Sequence, residues 1–320
     1  MKTSAFVDSG NDPTPPRHFA LRVLLATGCL LAAIAVPVRA QVPKLAGWSL
    51  QFSDDFQGAQ RQLPDHSKWI IDTGHGYSGG PVFWGNNERQ RYTRHPDNLS
   101  LDGHGHLRIT PLRDKNGHWT SGRIETRRAD FAPPPGGIVR FQARIRMPGV
   151  SDKHAVGYWP AFWSIGASYR KHFAWPHAGE FDVMESVNGM DQVWGTLHCG
   201  YAPGGPCNEP SGIGQAEPCP DKSCVGQFHT YRFEWDRRHH GDQLRWYVDG
   251  KLYHRITRDQ LTAKVWNTLT HQRGFFLLLN VAMGGEFPNA LAGNIRTPVA
   301  STDPGHSMLV DYVGVWTRKD

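Results

Sequence analysis

Three acidic residues within six positions, Glu180, Asp182 and Glu185, form the part of the chain best suited to acid–base chemistry. They alternate with Phe181 and Val183 in a pattern typical of a half-buried strand. Glu180 and Asp182 then project from one face, whereas a regular strand would send Glu185 to the other. One extra residue, a β-bulge, returns Glu185 to the side of the other two. On a helix, Glu180 and Glu185 would point about 140° apart. The sequence therefore predicts a bulged strand that gathers three carboxyl groups.

Carboxylates that share one face repel each other, which raises the pKa of at least one of them towards neutrality. This arrangement serves acid–base catalysis, whereas stability alone does not require it. The alternative is a solvated strand face whose acids pair with nearby arginines. A count of 12 tryptophans and an export signal favour the catalytic interpretation.

The elements that would position these acids are also predicted to be strands. The 320 residues include 35 glycines and 23 prolines, and no convincing helical run appears. A hairpin is predicted where residues 244–248 and 251–254 flank Asp249-Gly250, a favoured two-residue turn. The other predicted strands are 48–56, 107–110, 138–147, 230–235, 275–281 and 310–316. This pattern predicts an all-β sandwich.

The N-terminus has the pattern of a targeting segment. Arg17 and Arg22 precede an apolar run over 23–38, and the run closes with small residues up to Ala40. We predict that residues 1–40 are a signal peptide, that residues 41–320 form a single catalytic domain, and that the protein is secreted to the periplasm or beyond. The run is shorter than a usual membrane span, so no membrane contact is expected after cleavage. An uncleaved anchor is the alternative, because the segment before Arg17 is long.

Four cysteines remain after the leader, Cys199, Cys207, Cys219 and Cys224. In an exported protein an even number suggests two disulfides, for which three connectivities exist. Pairing of sequence neighbours, Cys199 with Cys207 and Cys219 with Cys224, is preferred. A zinc site is the alternative, although no C-x-x-C pair is present.

The charge pattern gives little support to nucleic-acid binding. The formal net charge is +6, of which residues 1–40 carry two, and the remaining basic residues form no dense run. Residues 74–79 match a dinucleotide-binding fingerprint but lack its strand–turn–helix frame. No G-x-S-x-G motif is present, so a serine hydrolase is disfavoured. A neutral polymeric substrate fits this modest, dispersed positive charge better than a nucleic acid does.

The acidic hexapeptide resembles the E-x-D-x-x-E signature of glycoside hydrolase family 16 in its bulged, laminarinase-like form. The likeness extends from about residue 52 to residue 316, nearly all of the mature chain. The segments that carry it are 52–56, 84–88, 121–124, 157–163, 280–285 and 310–313. The resemblance implies a β-jelly-roll sandwich of the concanavalin A-like type, with a concave sheet that forms a sugar cleft.

The same resemblance implies roles for the three acids. Glu180 would be the nucleophile, Glu185 the general acid/base, and Asp182 the group that orients Glu180 and tunes its protonation. The implied function is a secreted, monomeric, retaining endo-glycosidase that cuts β-1,3-glucan such as laminarin by double displacement, with no cofactor needed for the chemistry. Retaining enzymes hold the two carboxyl groups about 5–5.5 Å apart. Four regular strand steps span about 13 Å, so their approach depends on sheet curvature.

Several alternatives share this fold. The substrate could be mixed-linkage glucan, β-1,3-galactan or a sulfated galactan, and a transglycosylase would use the same residues. A non-catalytic glycan-binding protein is also an alternative, although a lectin has no use for three acids. The cysteine-rich insertion 199–224 and the proline-rich loop 133–137 depart from the family pattern. The insertion follows His198 directly and is expected to border the cleft and modify specificity.

Three tryptophans, Trp159, Trp163 and Trp175, flank the acids and are predicted sugar platforms, because pyranose rings lie well on indoles. Core packing is the alternative for each and is strongest for Trp163.

Other predicted contacts rest on the resemblance. Arg123 and His198 match cleft-lining positions that could hydrogen-bond sugar hydroxyls, and Asn86 and Asn87 are weaker matches. Asp311 corresponds to a position that often binds a structural calcium ion, with supporting ligands that are mostly backbone carbonyls.

Overall fold

The computed structural model describes residues 41–238, 241–270 and 274–319. The predicted signal peptide lies outside the described residues. The described strands, in chain order, are β1 (Ser49–Asp54), β2 (Trp69–Ile71), β3 (Arg91–Tyr92), β4 (Leu99–Leu101), β5 (Leu107–Ile109), β6 (Leu112–Arg113), β7 (Trp119–Ser121), β8 (Arg123–Thr126), β9 (Ile138–Arg146), β10 (Tyr158–Gly166), β11 (Glu180–Glu185), β12 (Val193–His198), β13 (Ile213–Glu217), β14 (Phe228–Asp236), β15 (Gln243–Val248), β16 (Lys251–Thr257), β17 (Phe275–Met283) and β18 (Met308–Arg318). The helices are short: α1 (Tyr169–His172), α2 (Ala263–Thr270) and α3 (Glu286–Leu291), with 3-10 turns at Val82–Gly85, Asp152–His154 and Arg258–Gln260.

Two large sheets form the body of the protein. The outer sheet has the order β16-β15-β14-β9-β18-β5-β4, and β1 pairs with β18. The inner sheet has the order β13-β12-β11-β10-β17-β8-β2, and all of its pairs are antiparallel. A small third sheet joins β3, β7 and β6. The strand order shows that neighbours in space are often distant in sequence, as expected of a sandwich with crossover connections.

The hydrophobic core lies between the two large sheets. Phe181 of the inner sheet stacks on Phe233 of the outer sheet with ring centroids 4.5 Å apart, and Phe233 packs on Phe141 at 5.7 Å. All three side chains are fully buried. Burial of such large rings supplies much of the stability of a sandwich. The predicted all-β sandwich is therefore confirmed.

The predicted strands are all present, and the hairpin between β15 and β16 turns as expected. Asp249 has φ 46° and Gly250 has φ 85°, the two left-handed conformations that the favoured two-residue turn requires. β17 is buried along its whole length, as predicted for a strand covered on both faces. In the described part of the chain, no helix combines the length and apolarity needed to cross a bilayer.

Candidate active site

The predicted β-bulge lies in β11. Asp182 is opposite Trp163 of β10, and Glu185 is opposite Ala161, so three steps on β11 match two on β10. The surplus residue is Val183. Because directly opposed residues of an antiparallel pair point to the same side, the bulge restores Glu185 to the face that carries Asp182. The prediction that one extra residue gathers the acids is confirmed.

Glu180 completes the set, since it lies opposite Ile165 on β10 and His198 on β12. We call the side of the inner sheet that carries Glu180, Asp182 and Glu185 the site face; it is the side turned away from the core. The apolar residues Phe181, Val183 and Met184 between the acids are fully buried in the core.

The bulge is held from the opposite sheet. The indole Nε1 of Trp246, on β15, donates a 2.8 Å hydrogen bond to the backbone carbonyl of Asp182. A bulge removes regular ladder partners from the strand, and a buried carbonyl without a partner would cost free energy. The core therefore fixes the backbone from which the acids project.

Glu180, Asp182 and His198 form a tight group. One carboxylate oxygen of each acid and a ring nitrogen of His198 all lie within 4.8 Å of one another. The Nε2 atom of His198 is 3.3 Å from Oδ2 of Asp182. That contact falls short of a hydrogen bond, and Oδ2 has no hydrogen-bond partner among the described residues. Asp182 Oδ2 therefore meets His198 as a buried ion pair.

Burial raises the pKa of each acid. The pKa of Glu185, a side chain that is 8 % exposed, rises to about 8 through burial and repulsion by Asp182. The pKa of Glu180 rises well above its ordinary value for the same two reasons. Burial also raises the pKa of Asp182, while His198 opposes this increase. At neutral pH Glu185 therefore retains a proton that an exposed carboxyl group would release.

The three predicted tryptophans lie around the acids, and each is half-buried. Trp159 donates from Nε1 to Oε1 of Glu185 at 2.8 Å. Trp163 donates from Nε1 to Oδ1 of Asn280 at 2.8 Å. The ring of Trp175 lies 5.4 Å from that of His198, centroid to centroid. Each tryptophan retains an accessible surface beside the acids, and sugar stacking on it stays a prediction.

Comparisons with known proteins identify the family. The chain is similar to the crystal structure of an endo-1,3-beta-glucanase from Streptomyces sioyaensis, with 48% identity, a TM-score of 0.85, and coverage of 88% of this chain and 100% of that one. It is 32% identical over 293 residues to a beta-glucanase of Rhodothermus marinus. The matched region covers 85% of this chain and 86% of that protein. A family model described as the XgeA-like, catalytic GH16 domain matches residues 149–211.

The chain belongs to glycoside hydrolase family 16. It is also 32% identical over 292 residues to glucan endo-1,3-beta-glucosidase A1 of Niallia circulans, of whose length it spans 39%. The sandwich is accordingly the predicted β-jelly roll, and the protein is a glycoside hydrolase.

Arg123 of this family 16 enzyme lies on β8 opposite Asn280 of β17, so it projects from the site face, and its contact with sugar stays a prediction. Its side chain is 3 % exposed. Nε is 2.9 Å from Asp72, Nη2 donates to the hydroxyl of Tyr77 at 2.9 Å, and the guanidinium lies 5.0 Å from the Trp163 ring. Because acceptors and aromatic rings surround the cation, it helps to hold the Trp163 ring in place.

His198 lies on the site face, opposite Glu180, and is buried. Its ring nitrogens face Asp182 and Glu209, at 3.3 and 2.7 Å, and do not face open solvent. These acids raise the pKa of His198 well above its ordinary value despite burial. The imidazole therefore acts on the neighbouring acids, and its hydrogen bonding to sugar hydroxyls stays a prediction.

Asn86 and Asn87 lie at the end of the site face near Trp159. The side chain of Asn87 donates to Glu286 at 2.5 Å, and the carbonyl of Asn86 accepts from the Glu286 N–H at 2.9 Å. Both residues therefore join their loop to the start of α3. Their contact with substrate stays a prediction.

Glu88, in the same loop, was not singled out by the sequence analysis. It is buried and accepts hydrogen bonds from Gln90 and Tyr92. The Tyr92 hydroxyl accepts from Asn280, the residue that also binds the Trp163 indole. This buried series of hydrogen bonds fixes the orientation of Trp163. In the sequence, the only indication of a role for Glu88 is an acidic residue in an otherwise polar loop.

The predicted pairing of the cysteines is confirmed, with disulfides Cys199–Cys207 and Cys219–Cys224. Between the two disulfide-closed loops lies β13, which extends the inner sheet beside β12. Glu209 of the insertion contacts His198, so the insertion borders the acids as expected.

Asp311 pairs with an arginine, and calcium binding beside it stays a prediction. Its Oδ2 atom lies 2.5 Å from the guanidinium of Arg144, which already supplies a cation to a carboxylate that is otherwise buried. Among the described residues, no cluster of three or more acidic, histidine or cysteine ligands includes Asp311. A calcium ion beside Asp311 would therefore depend on backbone carbonyls for most of its ligands.

Proposed function

We propose that this enzyme is a secreted, retaining endo-glycosidase that hydrolyses β-1,3-linked glucan. The observation that carries the proposal is the placement of Glu180, Asp182 and Glu185 on one face beside half-buried tryptophans. The printed names of the relatives, endo-1,3-beta-glucanase and beta-glucanase, support the glucan as substrate. The two disulfides support export, because such bonds persist in oxidising compartments.

In the proposed mechanism, Glu185 donates its proton to the glycosidic oxygen as the bond to the anomeric carbon breaks. The carboxylate of Glu180 attacks that carbon and forms a glycosyl-enzyme ester. Glu185, now ionised, takes a proton from water, and the resulting hydroxide displaces Glu180. The raised pKa of Glu185, about 8, suits the first step, since the group must enter it protonated. The cationic imidazole of His198 favours the ionised form of Glu180.

Product analysis on a panel of polysaccharides tests the proposed substrate. We expect laminarin to be cut fastest, with curdlan and lichenan slower and β-1,3-galactan uncut, and early products to be oligosaccharides. Chromatography of timed digests measures both points. Preference for the galactan, release of glucose alone, or mere rearrangement of chain lengths would replace the proposal with one of its alternatives.

Proton NMR of the first products tests the stereochemistry. Two displacements at one carbon retain its configuration, so the new reducing ends should appear as the β-anomer before mutarotation. An initial α-anomer would exclude Glu180 as nucleophile while leaving the substrate assignment intact.

Replacing Trp159 with phenylalanine is expected to move the basic limb of the pH–rate profile to higher pH. The indole hydrogen bond stabilises ionised Glu185 and lowers its pKa, so a variant without it keeps the acid protonated further into the basic range. The dependence of kcat/KM on pH measures this shift. Trp163→Phe is the matched control, because its indole binds Asn280 and not an acid. Equal shifts in the two variants would argue against the assigned role of the Trp159 hydrogen bond.

A further inference from the structure

Glu209, in the cysteine-rich insertion, is a buried acid directly behind the active site. Its side chain has no exposed surface. One carboxylate oxygen, Oε2, lies 2.7 Å from Nδ1 of His198. The other, Oε1, accepts the backbone N–H of Cys199 at 2.8 Å. Neither oxygen is therefore left without a partner, and the carboxylate holds the far side of the imidazole.

The backbone of the loop that carries Glu209 holds this residue against His198. The Cys199–Cys207 disulfide closes the loop immediately after β12 ends at His198. The backbones of Gly204 and Glu209 exchange two hydrogen bonds, of 2.6 and 2.5 Å. Gly212 has φ 73°, and a Cβ there would come within 2.8 Å of the His198 ring. The imidazole is thus enclosed on one side by backbone and on another by Glu209.

We propose that Glu209 is a positioning residue of the active site, which fixes the orientation and charge of His198 and through it the ionisation of Glu180 and Asp182. This inference rests on the proposed function. Because Glu209 accepts a hydrogen bond from Nδ1, Nε2 is the nitrogen that faces the acids, and it lies 3.3 Å from Asp182. A carboxylate behind an imidazole favours the imidazolium in this way.

The groups that face the imidazole are Glu180 and Asp182 from β11 and Glu209 from the loop. Removing the charge of Glu209 has two opposed effects on the acids. It removes a distant negative charge, and it lowers the pKa of the His198 imidazole, so that the ring is protonated less often. The second effect prevails, because the imidazole lies between Glu209 and the acids and acts at shorter range. The lowering of the pKa values of Glu180 and Asp182 by His198 is accordingly larger than their raising by Glu209.

The test is Glu209→Gln, which retains an acceptor for the Cys199 N–H and removes the charge. We expect kcat to fall about tenfold or more, the equivalent of one pKa unit at the nucleophile. KM should change little, and the acidic limb of the pH profile should move to higher pH. Glu217→Gln is the matched control, since Glu217 lies in the same insertion but pairs with Lys251 at the surface. Wild-type kinetics and pH profile in Glu209→Gln would overturn the inference.

A second measurement separates this inference from the proposed function. The pKa of the His198 imidazole, followed by NMR, should drop in Glu209→Gln and stay at the wild-type value in Glu217→Gln. This readout needs no substrate, so it decides the case even if no polysaccharide of the panel is cut. Loss of activity with a lower melting temperature and an unchanged imidazole pKa would show a merely structural role and contradict the inference.

Discussion

Glu180→Gln is expected to lower kcat on β-1,3-glucan by about 10⁴-fold or more, because an amide cannot form the glycosyl-enzyme ester. The substitution preserves the size of the side chain and removes a charge that burial and repulsion disfavour, so the protein should remain folded. Initial rates on laminarin measure the loss. Binding of laminarin, followed by the fluorescence of the site-face tryptophans, should persist.

Azide provides a sharper test of the same residue. In Glu180→Ala the small anion can enter the space of the lost carboxylate and attack the anomeric carbon of a substrate with a good leaving group. The product should be the α-glycosyl azide, formed by a single inversion. Near-normal turnover of Glu180→Gln, or formation of the β-azide by Glu180→Ala, would contradict the nucleophile assignment.

Glu185→Gln is the second large effect that we expect, a loss of about 10²- to 10⁴-fold in kcat, the range typical of a general acid. Substrates with a good leaving group need little protonation, so the loss should shrink on an activated aryl glycoside. In Glu185→Ala, azide should yield the β-glycosyl azide, because it attacks the glycosyl-enzyme that Glu180 has already formed. An equal loss on good and poor leaving groups would argue against the acid role.

The same variant should change stability in a pH-dependent way. The pKa of Glu185 lies near 4.5 when the group is exposed and rises to about 8 in the fold. Between these values the native state holds a proton that the unfolded chain releases, so wild-type stability falls as pH rises through this window. Glutamine at position 185 does not titrate and should flatten that part of the curve. Thermal melts of both proteins across the window measure the difference.

The acids themselves could be located from the sequence because the alternation of side chains along a strand is a local property. Phe181 and Val183 require one face to be buried, and only a bulge then brings Glu180 and Glu185 together. Local chemistry also predicted the turn at Asp249-Gly250, since both positions need a left-handed backbone.

The tertiary partners that bury or charge-pair individual residues could not be found in this way. Glu209 meets His198 only because a Gly/Pro-rich loop folds back, and no periodicity encodes that path. Arg123 lies at a family position, but its burial depends on Asp72 from another strand region. Asp311 meets Arg144 across the pairing of β18 with β9. Each contact is tertiary, so sequence spacing carries no trace of it.

The two disulfides join residues only eight and five positions apart, and both lie within the segment between β12 and β14. Closing so short a loop removes less chain entropy than closing a long one, and neither bond fastens one sheet to the other. A thiol reductant would thus leave the sandwich folded while freeing the loop that holds Glu209. The catalytic rate of a preparation then depends on whether its disulfides have formed. Protein made in a reducing cytoplasm would have a native circular dichroism spectrum but a low catalytic rate.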